Sequence, residues 1–185
     1  MPRTREQFQE MKKARREKIL NSAAIMYSLM GDKLTIDHIS KHAKCSHGIV
    51  YHYFRNVDSV VDAIKKGDKY INLKNSLLNV EGENKYYQIK NMLDIYLDLK
   101  DDVDVAYKLI LIRENDKQSV NKYFHDLIVD GQRDGVICGG NPETMVASLY
   151  YLLKGIYITY INVKDKNIAL PERDNVAELF KRKII

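Results

Sequence analysis

Residues 34–54 read LTIDHISKHAKCSHGIVYHYF and contain two short helical segments separated by the break KCS. Thr35 is a suitable N-cap for a helix from Ile36 to about Ala43, because a threonine hydroxyl accepts a hydrogen bond from a backbone N–H of the first turn. Ser46 can cap the next helix, from His47 to about Phe54, in the same way. Two short helices joined by a three-residue break, following a basic helix, are typical of a helix-turn-helix.

The outward face of the second short helix is small and polar. Helical spacing turns Ile49, Val50 and Tyr53 inward and leaves four residues facing outward: His47, Gly48, Tyr51 and His52. Glycine disfavours a helix by about 1 kcal/mol relative to alanine, so Gly48 needs a reason. Close approach of the helix backbone to a nucleic-acid groove or phosphate supplies one.

The positive charge of the chain is concentrated at this end. Residues 1–55 hold 11 Lys and Arg against 5 Asp and Glu, whereas the remaining residues hold 19 against 20. Four of the five histidines also lie in residues 1–55. Such asymmetry indicates a polyanionic partner at the basic end. A solvated basic face without a partner is the alternative.

The 185-residue chain is 45% hydrophobic, which is enough to build a core, and it is predicted to be all-α because its apolar residues recur at helical spacing. The first helix is predicted from about Met11 to Met30, and a long fourth helix, capped by Asn56, to about Val80 across a weak point at Gly67. Further helices are predicted at about 84–99, 103–115 and 118–133, then from Pro142 to about Val163, and last in a short amphipathic segment with Val176, Leu179, Phe180 and Ile184. The domains are then a three-helix helix-turn-helix domain, residues 1–55, and a C-terminal helical domain, residues 56–185.

The helix ending near Val163 is apolar on nearly all sides. Only Lys154 is charged between Met145 and Val163, a length that almost permits a membrane span, but the polar residues within it argue against lipid and we expect no membrane association. One face can pack on its own domain: Leu149, Leu153, Ile156 and Tyr160. The other has small residues that let another helix approach: Ser148, Leu152, Gly155 and Thr159. We predict that this second face, with the last helix beside it, forms a homodimer interface.

Residues 34–61 resemble the DNA-binding domain of the TetR/AcrR family of bacterial transcriptional repressors. The matching residues are Thr35, Ile39, Ala43, Ser46, Gly48 and the YHYF at 51–54, and ILNSAAIMYSLMG upstream is similar to the first helix of the family. The resemblance implies an all-α homodimer that binds double-stranded operator DNA through its N-terminal domains. A small-molecule inducer bound in a C-terminal ligand-binding and dimerisation domain would release it. A twofold dimer would fit a palindromic operator.

The resemblance also implies a role for each matching residue. Thr35 would contact a phosphate from the start of the second helix, and phosphates around the recognition helix would be bound by Ser46, Tyr51 and His52. Base edges would be contacted by His47, Gly48 and Ile49. The family usually has Gly where this chain has Lys44, which predicts a positive φ there. It often has a phosphate-binding Lys where this chain has Val57, a contact that Lys44 or Arg55 would replace.

Tyrosines are concentrated in the C-terminal domain, where ten of the 13 lie at or after Tyr70. A tyrosine brings an apolar ring and a hydroxyl, which suits a pocket for a mixed polar and aromatic ligand. The candidate ligand-binding residues lie on the inward stripes of the middle helices: Tyr70, Met92, Tyr96, Tyr107, Tyr123 and Tyr151. The alternative is that these side chains only fill the core.

Other classes of function find less support. His38 and His42 have a spacing that can bind zinc, but no third ligand lies at a fixed offset on the same face, and we expect no metal or cofactor. No nucleophile elbow, phosphate-binding loop or carboxylate pair predicts an enzyme. The lone Cys45 and Cys138, without a secretory leader, predict a cytoplasmic protein. The competing hypothesis is an all-α dimeric ligand-binding protein or enzyme without DNA binding, which salt-dependent retention on DNA would distinguish.

Overall fold

The structure, a computed structural model, describes residues 4–163, 165–166 and 169–182. The described residues form α-helices and no β-sheet, with one isolated bridge between Ile137 and Lys181. The predicted all-α class is therefore confirmed. The chain divides into two compact units, one ending at Ile71 and the other beginning at Asn72. The functional division that we placed near residue 55 stays a prediction.

The first unit is built on a long helix, α1 (Arg5–Met30), that packs against α2 (Ile36–Ala43) and α4 (Val57–Lys65). A 3₁₀ turn, Gly31–Lys33, leads into α2, and α3 (His47–Tyr53) follows. Apolar side chains from these helices form the core of the unit: Ile19, Ala23, Ile39, Val50, Val60 and Ile64. The predicted N-caps Thr35, Ser46 and Asn56 are all confirmed.

The beginning of α1 differs from the prediction. The helix starts at Arg5 rather than near Met11, because Thr4 and Gln7 form a capping box. The Thr4 hydroxyl accepts from the Gln7 N–H at 3.3 Å, and the Gln7 side chain accepts from the Thr4 N–H at 3.1 Å. The N-terminal part of α1 is thus closed by its own side chains rather than by packing.

The predicted single long helix after Asn56 is wrong. α4 ends at Lys65, and a separate helix, α5 (Asp68–Leu78), begins after Gly67. A Cβ at Gly67 would lie 3.2 Å from the Ala63 carbonyl oxygen and 3.3 Å from that of Ile64. Gly67 thus lies close to the carbonyl groups that end α4, and the low helix propensity of glycine favours an interruption there.

The second unit contains α6 (Lys85–Leu97), α7 (Asp102–Arg113), α8 (Val120–Arg133), α9 (Pro142–Asn162) and α10 (Arg173–Glu178). Every residue of α7 from Val105 to Ile112 is buried, so α7 is the central helix of this unit. α9 packs against α7 and α8, and α10 packs against α6. Pro142 at the start of α9 is confirmed.

The two faces of α9 differ in burial. Leu149, Leu153 and Tyr160 are buried within the unit, and Ile156 is half-buried. The opposite face is exposed at Ser148, Gly155 and Thr159 and half-buried at Leu152. None of the described helices is long and apolar enough to cross a membrane.

The final segment was predicted to lie beside α9, yet α10 makes its main contacts with α6. Arg173 at the start of α10 donates to both carboxylate oxygens of Asp94 on α6, at 2.7 and 2.8 Å. Val176 and Phe180 are buried as the amphipathic pattern predicts, whereas Leu179 is exposed. Ile184, the last member of that pattern, lies outside the described residues.

Candidate nucleic-acid interface

The turn before α3 is held in one conformation by its backbone. Lys44 has φ 52° and ψ 54°, which confirms the predicted left-handed position. The Lys44 N–H donates to the Lys41 carbonyl at 3.2 Å, and the Cys45 N–H donates to the Ser40 carbonyl at 3.0 Å. These two bonds close the end of α2 and set the direction in which α3 begins. Cys45, the next residue of the turn, is half-buried.

Four neighbouring side-chain positions on α3 are exposed: His47, Gly48, Tyr51 and His52. Tyr51 is 56% exposed, an unusual position for so large an apolar ring. Val50 is fully buried and anchors the helix, and Ile49 and Tyr53 are half-buried at the edges of its buried side. The predicted outward face of α3 is thus present, and its hydroxyl, imidazole and bare backbone groups face solvent.

The first residue of α3 is linked to α2 through a carboxylate. Nε2 of His47 lies 3.1 Å from Oδ1 of Asp37, and Nζ of Lys41 lies 2.6 Å from Oδ2 of the same carboxylate. The bond from Lys41 lowers the pKa of Asp37 below its usual value, and that from His47 lowers it further. The carboxylate is therefore ionised at neutral pH, and its proximity favours the His47 tautomer that carries a proton on Nε2.

Thr35 begins α2 with a reciprocal cap. Its hydroxyl accepts from the His38 N–H at 3.3 Å, while its own N–H donates to Nδ1 of His38 at 3.2 Å. The Thr35 oxygen also lies 2.9 Å from Nδ1 of His38. Thr35 is exposed, but its hydroxyl already closes the helix, so a phosphate contact would share that oxygen with the cap.

The remaining predicted DNA contacts lie around α3. Ser46 is exposed, and its hydroxyl accepts from the Ile49 N–H at 3.4 Å. Lys44 and Arg55 are exposed in the turn before α3 and in the segment after it. Val57 is half-buried in the first turn of α4. Lys44 and Arg55 thus flank α3 along the chain, where either could replace the lysine that the family often has at the position of Val57.

The residues predicted to bind a ligand are mostly enclosed. Met92, Tyr96 and Tyr107 are buried in the second unit, and Tyr123 is half-buried. The buried hydroxyl of Tyr157 donates to the Tyr96 carbonyl at 2.9 Å, and burial raises the pKa of Tyr96. These contacts fill the interior, and the ligand role of this group stays a prediction.

Two members of that predicted set do not share the interior of the second unit. Tyr70 is buried within the first unit. Tyr151 is 67% exposed, so its predicted inward position is wrong. The physical reason is its place on α9, one turn from the exposed Ser148 and Gly155 rather than on the side of Leu149 and Leu153.

An open cleft of about 590 Å³ lies in the second unit between the end of α7, α8 and α9. Its apolar wall includes Ile112 and Val146, and Tyr150 adds an aromatic ring. Its charged rim includes Lys122 and His125, with Nε2 of His125 3.5 Å from Oε1 of Glu143. No residue of the predicted tyrosine-rich set lines this cleft. Helical spacing did not reveal it, because the cleft arises where three helices meet.

Within the described part of the chain, no three His, Cys, Asp or Glu side chains are grouped so as to hold a metal ion. Nδ1 of His38 is engaged with the Thr35 cap, and His42 is exposed on α2.

The fold is similar to that of several solved structures. A TetR-family transcriptional regulator from a Rhodococcus species is 16% identical, with a TM-score of 0.52 over 89% of this chain and 94% of that one. The ketosteroid transcriptional regulator KstR2 of Mycobacterium tuberculosis is 14% identical, with a TM-score of 0.56 over 91% and 96% of the two chains. A TetR-family regulatory protein from Rhodococcus RHA1 is 12% identical, with a TM-score of 0.56 over 89% and 91%.

The sequence matches no protein-family model, and no curated protein matches it. The chain has a helix-turn-helix followed by an all-α second unit, and this is the fold of the TetR-family transcriptional regulators. The resemblance predicted from residues 34–61 is thereby confirmed at the level of the fold.

Proposed function

We propose that the chain is a cytoplasmic transcriptional repressor of the TetR type, which binds operator DNA and is not an enzyme. The observation that carries this proposal is the exposed face of α3, with His47, Gly48, Tyr51 and His52 side by side on a helix anchored by Val50. A short helix with small and polar outward residues fits the major groove. The basic charge of residues 1–55 complements the phosphates on either side.

The proposed contacts divide into two classes. Tyr51, His52 and Ser46 bind phosphates and set the position of α3 on the duplex, whereas His47, Gly48 and Ile49 face base edges. Thr35, Lys44 and Arg55 add phosphate contacts around the helix. Phosphate contacts supply affinity for any sequence, and base contacts supply the preference for one.

A homodimer would place two copies of α3 on a palindromic operator. The exposed face of α9 is the proposed dimer interface, since it combines the small residues Ser148, Gly155 and Thr159 with the exposed ring of Tyr151. Apolar and small residues left uncovered on a 21-residue helix suit helix-to-helix packing with a second copy.

The second unit would bind the inducer that releases the repressor from DNA. Its interior offers the predicted group of Met92, Tyr96, Tyr107 and Tyr123. The cleft beside Tyr150 offers a ring together with charged groups, which suits a small aromatic ligand with an ionised substituent.

Two substitutions on α3 test the proposal. Tyr51→Phe should weaken binding to all duplexes similarly, because it removes only a hydroxyl that contacts phosphate, and His47→Ala should change preference among sequences. Each loss should cost about 1–3 kcal/mol. Affinities of both variants for selected and random duplexes are compared across a salt series. A changed sequence preference for Tyr51→Phe with intact affinity for random DNA would reverse the role assignment.

The cleft also favours a second candidate, an all-α dimeric ligand-binding protein without DNA binding. The salt series separates the two functions, because phosphate neutralisation makes affinity fall steeply with salt. Failure of the wild-type protein to bind any duplex at low salt would favour the second candidate.

A further inference from the structure

The first four turns of α1 are exposed along their whole length and contact the rest of their unit only near their C-terminal end, where Arg16 lies over the Phe54 ring and Glu17 pairs with Lys69. Residues 4–18 are all exposed, and burial begins only at Ile19. The Thr4 capping box closes the N-terminus of α1, so this segment is a regular, capped helix. Two large apolar side chains lie uncovered on it, with Phe8 63% and Met11 44% exposed. A capped helix that presents apolar side chains to solvent suggests a surface that a partner covers.

Charges on this part of α1 are segregated by face. Lys12 and Arg15 lie on the same side as Phe8 and Met11, because residues three and four apart share a helix face. The helical repeat puts the acidic residues about half a turn away from Phe8: Glu6, Glu10 and Glu17. The apolar face is therefore cationic as well, and its partner should be anionic.

This face forms one wall of a groove of about 440 Å³. Phe8, Met11, Lys12 and Arg15 line it from α1. The opposite wall comes from α3: Gly48, Ile49, His52 and Tyr53. None of these eight lining residues is acidic. Gly48 and His52 also belong to the exposed face of α3, so the groove continues directly from that face.

We propose that this groove holds the sugar–phosphate backbone of the DNA strand that borders the major groove occupied by α3. The inference rests on the proposed DNA binding and adds a second element, α1, to the contact. Lys12 and Arg15 bind phosphate oxygens. The ring of Phe8 and the thioether of Met11 pack on the apolar faces of the deoxyribose. Gly48 lets the strand lie close to α3, because it has no side chain between the two walls.

The chemistry of the groove favours this occupant over a second copy of the chain. A second copy packed symmetrically through its own α1 would have to present acidic groups to Lys12 and Arg15, but the acidic residues of α1 lie on its opposite face. Sugar–phosphate backbone alternates an anionic oxygen with an apolar ring at short intervals, which matches cations and apolar side chains mixed on one surface. Such contacts are independent of base sequence.

Affinity of the full-length protein for a random-sequence duplex of about 30 base pairs, close to three helical turns, tests the inference. The double variant Phe8→Ala and Met11→Ala should bind about tenfold more weakly with an unchanged salt dependence, because it removes packing and no charge. Arg15→Gln should lower the slope of log affinity against log salt by about one phosphate contact. Lys13→Gln is the matched control, since it removes one exposed cation of α1 outside the groove and should change the slope less.

Circular dichroism should show an intact helix in each variant, because all the altered residues are exposed. The inference would be overturned if both groove variants kept wild-type affinity while the wild-type protein bound the duplex in a salt-dependent manner. That outcome would leave the proposed function standing. The inference would also be overturned if the apolar variant lost self-association in sedimentation yet kept its DNA affinity, which would make a second copy the occupant. No duplex binding by the wild-type protein would instead overturn the proposed function and the inference together.

Discussion

Lys44 is a non-glycine residue held at positive φ. With φ 52° and ψ 54° it lies in the left-handed region, which costs a side-chain-bearing residue about 1 kcal/mol. The Lys44 side chain is exposed. Its charge lies beside α3, where the proposed phosphate contact would use it.

Replacement of this residue should relieve the conformational cost. Lys44→Gly should leave the melting temperature unchanged or raise it, because relief of about 1 kcal/mol offsets the larger chain entropy of unfolded glycine. Lys66→Gly is the matched control: Lys66 also caps a helix end, but at an ordinary φ of −91°, and its replacement should lower the melting temperature. A clear fall for Lys44→Gly would contradict the left-handed assignment. The same variant should bind DNA more weakly, through loss of one charge.

Asp37 orients His47 at the start of α3. With the carboxylate accepting from Nε2–H, Nδ1 of His47 is left as a hydrogen-bond acceptor. Asp37→Ala should therefore change the preferred operator sequence, because His47 gains freedom of rotation and tautomer. It should also raise affinity for all DNA by removing a negative charge. Asp58→Ala, which removes another exposed acidic residue of this unit, should raise affinity without changing preference.

Selection of preferred duplexes from a random library measures the sequence preference, and affinity for random duplexes measures the effect of the removed charge. An unchanged preference in Asp37→Ala would mean that His47 does not depend on the carboxylate. The pH dependence has a defined sign: the lowered pKa of Asp37 means that its bonds with Lys41 and His47 stabilise the fold above the unfolded-state pKa of Asp37. That contribution is lost as pH falls through the lowered folded-state value.

At the scale of elements, caps predicted better than apolar spacing. Thr35 and Ser46 gave the starts of α2 and α3 correctly, because a capping hydroxyl depends on local sequence alone. Apolar spacing failed after Asn56, because the apolar pattern continues across Gly67 although one helix ends and another begins there. It also failed at the start of α1, where residues 4–18 are exposed and show no buried stripe. The Thr4 and Gln7 pair was the signal available there.

Gly48 links the stability of α3 to its proposed contact with DNA. A Cβ at this position would have only the Ser46 hydroxyl nearby, at 3.9 Å, so alanine fits the free protein. Gly48→Ala should therefore stabilise the fold by up to about 1 kcal/mol through helix propensity. It should weaken DNA binding, because the added methyl group would stand between α3 and the duplex.

Thermal unfolding and duplex affinity of Gly48→Ala are measured together. Higher stability with weaker binding is the expected combination. Gly67→Ala should have the opposite effect on stability, since its Cβ would lie 3.2 Å from a backbone carbonyl. Unchanged DNA affinity in Gly48→Ala would remove close backbone approach as the reason for this glycine.

For the whole molecule, the sequence predicted the exposed face of α3 but not the cleft of the second unit. The face of α3 follows from one helix and its period, so its exposed residues were predictable. A cavity depends on how several helices meet, and residues from α7, α8 and α9 line the cleft around Tyr150. Tyr151, one residue later, was predicted on an inward stripe of α9, whereas the helix turns it outward.

The exposed face of α9 leads to a prediction about assembly. A Cβ at Gly155 would meet no other atom of the chain within 4 Å, so a larger residue is compatible with the folded protomer. Gly155→Leu should leave each protomer as stable as before, or stabilise it by up to about 1 kcal/mol through helix propensity. If a second copy packs on this face, the added side chain should destabilise the dimer by about 1–3 kcal/mol.

Sedimentation and duplex affinity of Gly155→Leu measure the consequence. The variant should shift towards monomer and lose affinity for a palindromic duplex, although no residue of the first unit is changed, because a single copy of α3 reads only half of the site. Gly139→Leu is the matched control, since a Cβ there also meets nothing within 4 Å but lies outside α9. Both proteins should unfold at similar temperatures when fully monomeric. A stable Gly155→Leu dimer with normal affinity would show that another surface joins the two copies.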